Sequence, residues 1–167
     1  AAPEHVTGGY MQRILWTLTI LLLTAANCAA GQHALRVTRV ADDLYAAWAW
    51  DVLIRTKFCF EQAAGARAVL TSDRNGLLFP DSGRRCAVED VYVRKLLRRG
   101  RHELVVTREE EGLYRIGDTK VVIFTAACRA LAVQDAAVLE LPDGISGTLR
   151  LHDDTCRVEG VFEAVPY

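Results

Sequence analysis

"VLIRTKFC", residues 52–59, and "VVIFTAAC", residues 121–128, write V-x-I-x-T-x-x-C twice in a chain of 167 residues. The match extends outward without a gap. Leu35, Val37, Thr38 and Arg39 fall on Leu104, Val106, Thr107 and Arg108, and Leu44-Tyr45 falls on Leu113-Tyr114. Beyond the motif, Ala63 and Ala68-Val69-Leu70 fall on Ala132 and Ala137-Val138-Leu139. With one inserted residue, Cys86, Val88, Glu89 and Val91 then match Cys156, Val158, Glu159 and Val161. Self-similarity of this extent reads as a tandem duplication. It divides the chain into an upstream segment, 1–30, a first unit, 31–100, and a second unit, 101–167.

Within a unit the shared positions alternate. Leu35/Val37 and Val52/Ile54 are two apart, as are their counterparts, which is the period of a strand with one buried face. About six short strands are expected per unit, near 35–39, 44–49, 52–58, 67–72, 77–80 and 87–93 in the first. Asn75-Gly76 and Pro142-Asp143-Gly144 supply turn chemistry at corresponding places. The Ala-rich stretches 59–66 and 128–136 fit either strand or short helix, because Ala, Glu, Gln and Leu favour helix where the surrounding pattern favours strand. The expected fold is mainly β: two tandem small barrel- or sandwich-like units, each with one disulfide, packed pseudo-symmetrically. Twelve strands interleaved in one larger sandwich is the alternative.

The repeat also orders the cysteines. If each unit keeps its own pair, the bridges are Cys59–Cys86 and Cys128–Cys156, each closing a loop that contributes about 3–4 kcal/mol in the chain-entropy description. Small units have marginal cores, so the bridges read as structural staples.

Upstream, "MQRILWTLTILLLTAANCAAG" from Met11 has a basic residue, Arg13, an apolar run and then small residues, the layout of a secretory signal peptide cut near Ala30. The apolar run is shorter than the roughly 20 residues of a membrane-spanning helix. A periplasmic or secreted protein is therefore expected. Membrane association would follow only if this segment is retained or Cys28 is lipidated. The ten residues before Met11 read as an extension outside the fold.

No nucleophile elbow, zinc-binding helix motif or phosphate-binding glycine loop stands in the sequence, and no cofactor or metal is implied. Glu89 and Glu159 are a matched pair of glutamates. They offer an alternative reading, a small hydrolase with paired acids between the units, testable by their separation. The aromatic residues present in one unit only point elsewhere. Trp48 and Trp50, read as one strand face, stand against Gly117 and Thr119, and Phe58 and Phe60 stand against Ala127 and Arg129. They are expected either to fill the contact between units or to form a strip that binds a protein or carbohydrate.

Charge is unevenly divided: residues 31–100 hold 12 Lys/Arg against 8 Asp/Glu, and 101–167 hold 7 against 12. The basic end gathers Arg94, Lys95, Arg98 and Arg99 near the unit boundary, a candidate contact for an anionic partner or a counterweight to the acidic second unit. Nucleic acid is not an expected partner, given the export signal and a net charge of −1. The main functional expectation is a non-enzymatic envelope binding or structural protein.

Intact mass spectrometry of the secreted form checks this scheme. Reduction is expected to add four hydrogens, two per bridge; any other gain contradicts the assigned pairing.

Overall fold

The computed structural model describes residues 32–71 and 76–166; the signal-like segment and Asn75 lie outside them. The first half contains β1 (Gln32–Arg39), β2 (Leu44–Ala47), β3 (Val52–Lys57), β4 (Ala64–Thr71), β5 (Gly76–Phe79) and β6 (Arg84–Arg94). The second contains β7 (Gly100–Glu110), β8 (Leu113–Ile116), β9 (Val121–Ala126), β10 (Asp135–Leu141), β11 (Gly147–Leu151) and β12 (Asp154–Val165). Antiparallel pairing closes the first six into a ring ordered β1-β2-β3-β6-β5-β4. The second six close in the same order, β7-β8-β9-β12-β11-β10. Closure leaves neither ring a free sheet edge. Each ring closes on itself, so the interleaved sandwich is not the architecture.

Each ring has its own core. Val37, Tyr45, Ile54, Leu77, Phe79 and Val91 fill the first, and Val106, Tyr114, Ile123, Leu139, Leu149 and Val161 the second. A third core lies between the rings, where Leu44, Leu53 and Tyr92 meet Leu113, Val122, Phe124 and Phe162. This third core explains why residues 52–54 and 121–123 are apolar at every position. Val52 and Ile54, with Val121 and Ile123, turn into the rings, and Leu53 and Val122 turn into the seam. Strands buried on both faces lose the alternation of half-buried ones.

The rings are joined by a ladder between β6 and β12, pairing Arg94, Val93, Tyr92 and Val91 with Phe162, Glu163, Ala164 and Val165. By the sequence match, Tyr92 is the counterpart of Phe162, and Arg94 of Ala164. Exchanging the two halves therefore turns the Arg94–Phe162 pair into the Tyr92–Ala164 pair, and the ladder maps onto itself about Val93 and Glu163. The flanking bonds follow suit: Arg94 N–H donates to Asp51 O and Ala164 N–H to Lys120 O, both at 2.9 Å.

Strand β3 does not neighbour β4, so residues 58–63 must cross the mouth of the first ring, as 127–134 cross that of the second. Neither segment forms the expected strand or helix along its first half. Both run as irregular backbone, and regular strand begins only at Ala64 and Asp135. The physical reason is reach, because a helix advances only about 1.5 Å per residue, less than half of what extended chain covers. Phe58 and Ala127 open the crossings with φ of 52° each. The disulfides Cys59–Cys86 and Cys128–Cys156 then fix them to β6 and β12, with Cα–Cα distances of 5.3 and 5.4 Å. From inside the rings, the buried Tyr45 hydroxyl donates to Glu61 O at 2.9 Å and the Tyr114 hydroxyl to Ala130 O at 2.7 Å.

The repeated threonines anchor the opposite side of the same turn. Thr56 donates its N–H (2.8 Å) and hydroxyl (2.9 Å) to Asp43 O, and Thr125 its N–H (2.8 Å) and hydroxyl (3.1 Å) to Gly112 O. At Gly112, φ is 74° and a Cβ would fall 2.5 Å from Thr125 O, so the second turn requires glycine. In the first, the Asp43 side chain instead accepts the Cys59 N–H at 2.7 Å.

Thr125→Val keeps the shape of the side chain but leaves the buried Gly112 carbonyl one donor short. Urea unfolding of the variant is expected to show a loss of about 1–3 kcal/mol with an unchanged m-value.

Candidate functional site

Glu89 and Glu159 occupy the extra position of a β-bulge in each ring. In the first, Arg55 faces Asp90 and Thr56 faces Val88, skipping Glu89; in the second, Phe124 faces Gly160 and Thr125 faces Val158, skipping Glu159. The bulge shifts the inward phase from Val88 to Val91 and from Val158 to Val161, and it bends the strand for closure. Extending the β6–β12 register sets the two glutamates about eight residue steps apart, roughly 25 Å along the ladder. Their side chains answer different partners: Glu89 lies 3.6 Å from Arg55 and 3.8 Å from Lys57, whereas Glu159 pairs with Arg157. The register does not bring them together, so the paired-acid geometry of the hydrolase alternative is absent.

The aromatic residues separate as well. The expected strand over 44–49 ends at Ala47, and Trp48–Trp50 form a single 3-10 turn. Trp48 packs its ring 6.0 Å from that of Phe124 at the edge of the inter-ring contact, and both tryptophans are exposed, Trp50 the more so. Both precede β3 and Phe58 and Phe60 follow it, so six residues of strand, about 20 Å, hold the two pairs at opposite ends of the first ring. No single aromatic strip is formed.

The basic residues divide in the same manner. Arg94 is committed to the junction: it bonds Asp51 at 2.6 Å and Glu159 O at 3.3 Å, and its guanidinium lies 4.9 Å over the Phe162 ring. The space for this stacking exists because residue 160 is glycine; a Cβ there would stand 2.5 Å from Arg94. Lys95 pairs with Glu163 at 2.7 Å. Arg98 and Arg99 are exposed on the linker Lys95–Arg99, which is fastened at Leu97 by an N–H bond to Gly144 O at 3.1 Å.

Two features are legible only with the fold in hand. The first is that both crossing segments present large apolar side chains to solvent: Phe58 is 74% and Phe60 68% exposed in one, Leu131 77% and Val133 78% in the other. The second is a line of charge across the seam between the rings. Arg55 reaches Glu109 of the other ring at 3.1 Å and also hydrogen-bonds Asp90. Glu109 binds Arg115 at 2.8 Å, and Lys57 lies 5.7 Å from the centre of the Phe58 ring. Glu110, Glu111, Leu131 and Val133 line a depression beside Glu109.

Burial raises the Glu110 carboxyl above the usual range; Arg55 opposes the shift, and the neighbouring Asp43, Glu89 and Glu109 reinforce it. The Tyr92 hydroxyl, 3.3 Å from Asp90, is raised by burial too, against the pull of Arg55. Leu131 stands where the first unit has Gln62, and Arg55 where the second has Phe124. The unit-to-unit comparison that singled out the aromatics would have marked these positions, had it been extended beyond aromatic side chains. Among the described residues, no group of His, Cys, Asp and Glu side chains is gathered to hold a metal ion.

Neither a protein-family model, nor a curated protein, nor a solved structure matches the chain.

Because Glu110 is raised in the folded state, its contribution to stability is fully present below the ordinary glutamate pKa and is lost as pH rises through the raised value. Glu110→Gln is therefore expected to unfold at a higher temperature than the parent near pH 7, with the difference closing towards about pH 4, where an ordinary glutamate is half protonated. Thermal melts across that range check the sign.

Proposed function

We propose that this is an exported, non-enzymatic binding protein that docks a protein partner on its two crossing segments. The observation that carries the reading is the pairing of exposure with rigidity. Phe58, Phe60, Leu131 and Val133 face solvent from backbone that a disulfide, a buried tyrosine hydroxyl and a strand-end hydrogen bond hold in place. Exposed large apolar side chains paired on each crossing mark interaction surfaces, and a preorganised backbone reduces the entropy lost on binding. Scattered apolar residues would carry no such implication.

The two disulfides fit an oxidising compartment. Together with the signal-like segment they support action outside the cytoplasm, in the periplasm or beyond. Trp50 and the exposed arginines of the linker stand apart from this surface and are left to solubility or secondary contacts.

A photo-crosslinking residue placed at Phe60 or Leu131 in the producing cell is expected to yield a discrete adduct, and one placed at Arg150, an exposed site on β11, is not. Equal labelling at all three positions, or none at any, overturns the reading.

A further inference from the structure

We infer that the partner presents a cationic amphipathic segment, whose apolar side chains rest on Phe58 and on Leu131 with Val133 and whose Lys or Arg enters between them at Glu110. This rests on the docking reading above and adds the chemistry of the occupant.

The surface is one continuous path. The Phe58 ring carries Lys57 at 5.7 Å; Lys57 meets Glu89 at 3.8 Å, Glu89 meets Arg55 at 3.6 Å, and Arg55 meets Glu109 at 3.1 Å. Glu109 then borders the depression that holds Glu110, Leu131 and Val133. The path is apolar at both ends and charged in the middle. It crosses from one ring to the other, so an occupant must be long enough to touch both.

Its middle selects the sign of the occupant. Arg55 is already shared among Glu89, Asp90 and Glu109, and Arg115 is taken by Glu109. Glu110, half-buried on β7, has no ion pair among the described residues; Arg55 favours its charge while Asp43, Glu89 and Glu109 disfavour it, and Arg108, which also lines the depression, is turned to the backbone carbonyls of Glu110 and Arg129. A cation supplied from outside relieves that repulsion and gains a charge-assisted hydrogen bond, whereas an added anion worsens it. The same argument disfavours acidic peptides and anionic lipid headgroups at this seam. The flanking side chains set the amphipathic spacing, since a partner with charge alone would leave Phe58, Leu131 and Val133 in water.

The experiment uses the full disulfide-bonded protein and two labelled peptides of about fifteen residues, one alternating Leu and Lys, the other Leu and Glu, read by fluorescence anisotropy. Binding of the Leu-Lys peptide is expected, weakened as salt shortens the screening length to well under about 10 Å, with little binding of the Leu-Glu peptide. Glu110→Gln is expected to weaken the Leu-Lys complex about tenfold, as does Phe58→Ser combined with Leu131→Ser. Since Glu110→Gln is expected to stabilise the fold, its loss of binding cannot be ascribed to unfolding.

Equal affinity for both peptides, or unchanged affinity in Glu110→Gln, overturns the inference. So does binding to vesicles of anionic lipid that matches the peptide in strength and is lost in Phe58→Ser. If the cellular crosslinks from Phe60 and Leu131 form but no peptide binds, the docking surface stands and the cationic occupant falls. If the crosslinks fail too, both fall.

Discussion

In each ring, β3 or β9 must hand the chain to a strand that is not its neighbour, and the crossing that results is the constraint on which everything else rests. A segment lying over the mouth of a closed ring has no ladder to satisfy its backbone and no regular structure to fix its path. The protein meets this with three different bonds at one place: a disulfide to the last strand, a tyrosine hydroxyl reaching out from the core, and a threonine that ties the end of the preceding strand to the adjacent turn. Each is present in both halves. Immobilised in this way, the crossings can carry Phe58, Phe60, Leu131 and Val133 in water, where a loose loop would fold its apolar side chains back onto the surface.

The seam between the rings shows a second constraint. Its apolar part, Leu44, Leu53 and Tyr92 against Leu113, Val122, Phe124 and Phe162, is built by both halves. Its charged margin is not. Arg55 and Asp90 on one side stand where the other side has Phe124 and Gly160, so the salt-bridge network and the arginine stacked over Phe162 lie where the matched positions differ. Removing the half-buried Arg55 would leave its acids with reduced compensation, whereas replacing such a network by packed apolar side chains is often neutral for stability. The network is therefore poor evidence for stability as such and better evidence for a margin with a defined electrostatic pattern.

Much of the fold was legible in the residues. Alternation at Val52/Ile54 gave strands, the matched cysteines gave the bridges, and the spacing Cys86, Val88, Val91 already contained the bulge, since a two-residue period cannot pass from 88 to 91 without an extra residue. The crossings were not legible, because Ala, Gln and Leu there obey the reach demanded by ring closure and not their own propensities. The Trp48–Trp50 turn was missed for a related reason: spacing of two implies one face only while the chain remains a strand. For the surface, Phe58 and Phe60 were visible as residues found in one unit only. Leu131 and Val133 were hidden in an Ala-rich run whose conformation decides whether they are core or solvent, and Glu110 is distinguished from Glu109 and Glu111 by having no ion pair among the described residues.

The ladder between β6 and β12 exchanges into itself when the halves are exchanged, which is the geometry by which two identical molecules meet across a two-fold axis. Between separate molecules such a contact obeys mass action and dissolves on dilution. Here the two partners are tethered by Lys95–Arg99, a linker of only five residues. A tether this short sets an effective concentration on the order of millimolar, whatever the amount of protein present. The pairing of the rings is thus set by the tether and not by the concentration of the protein.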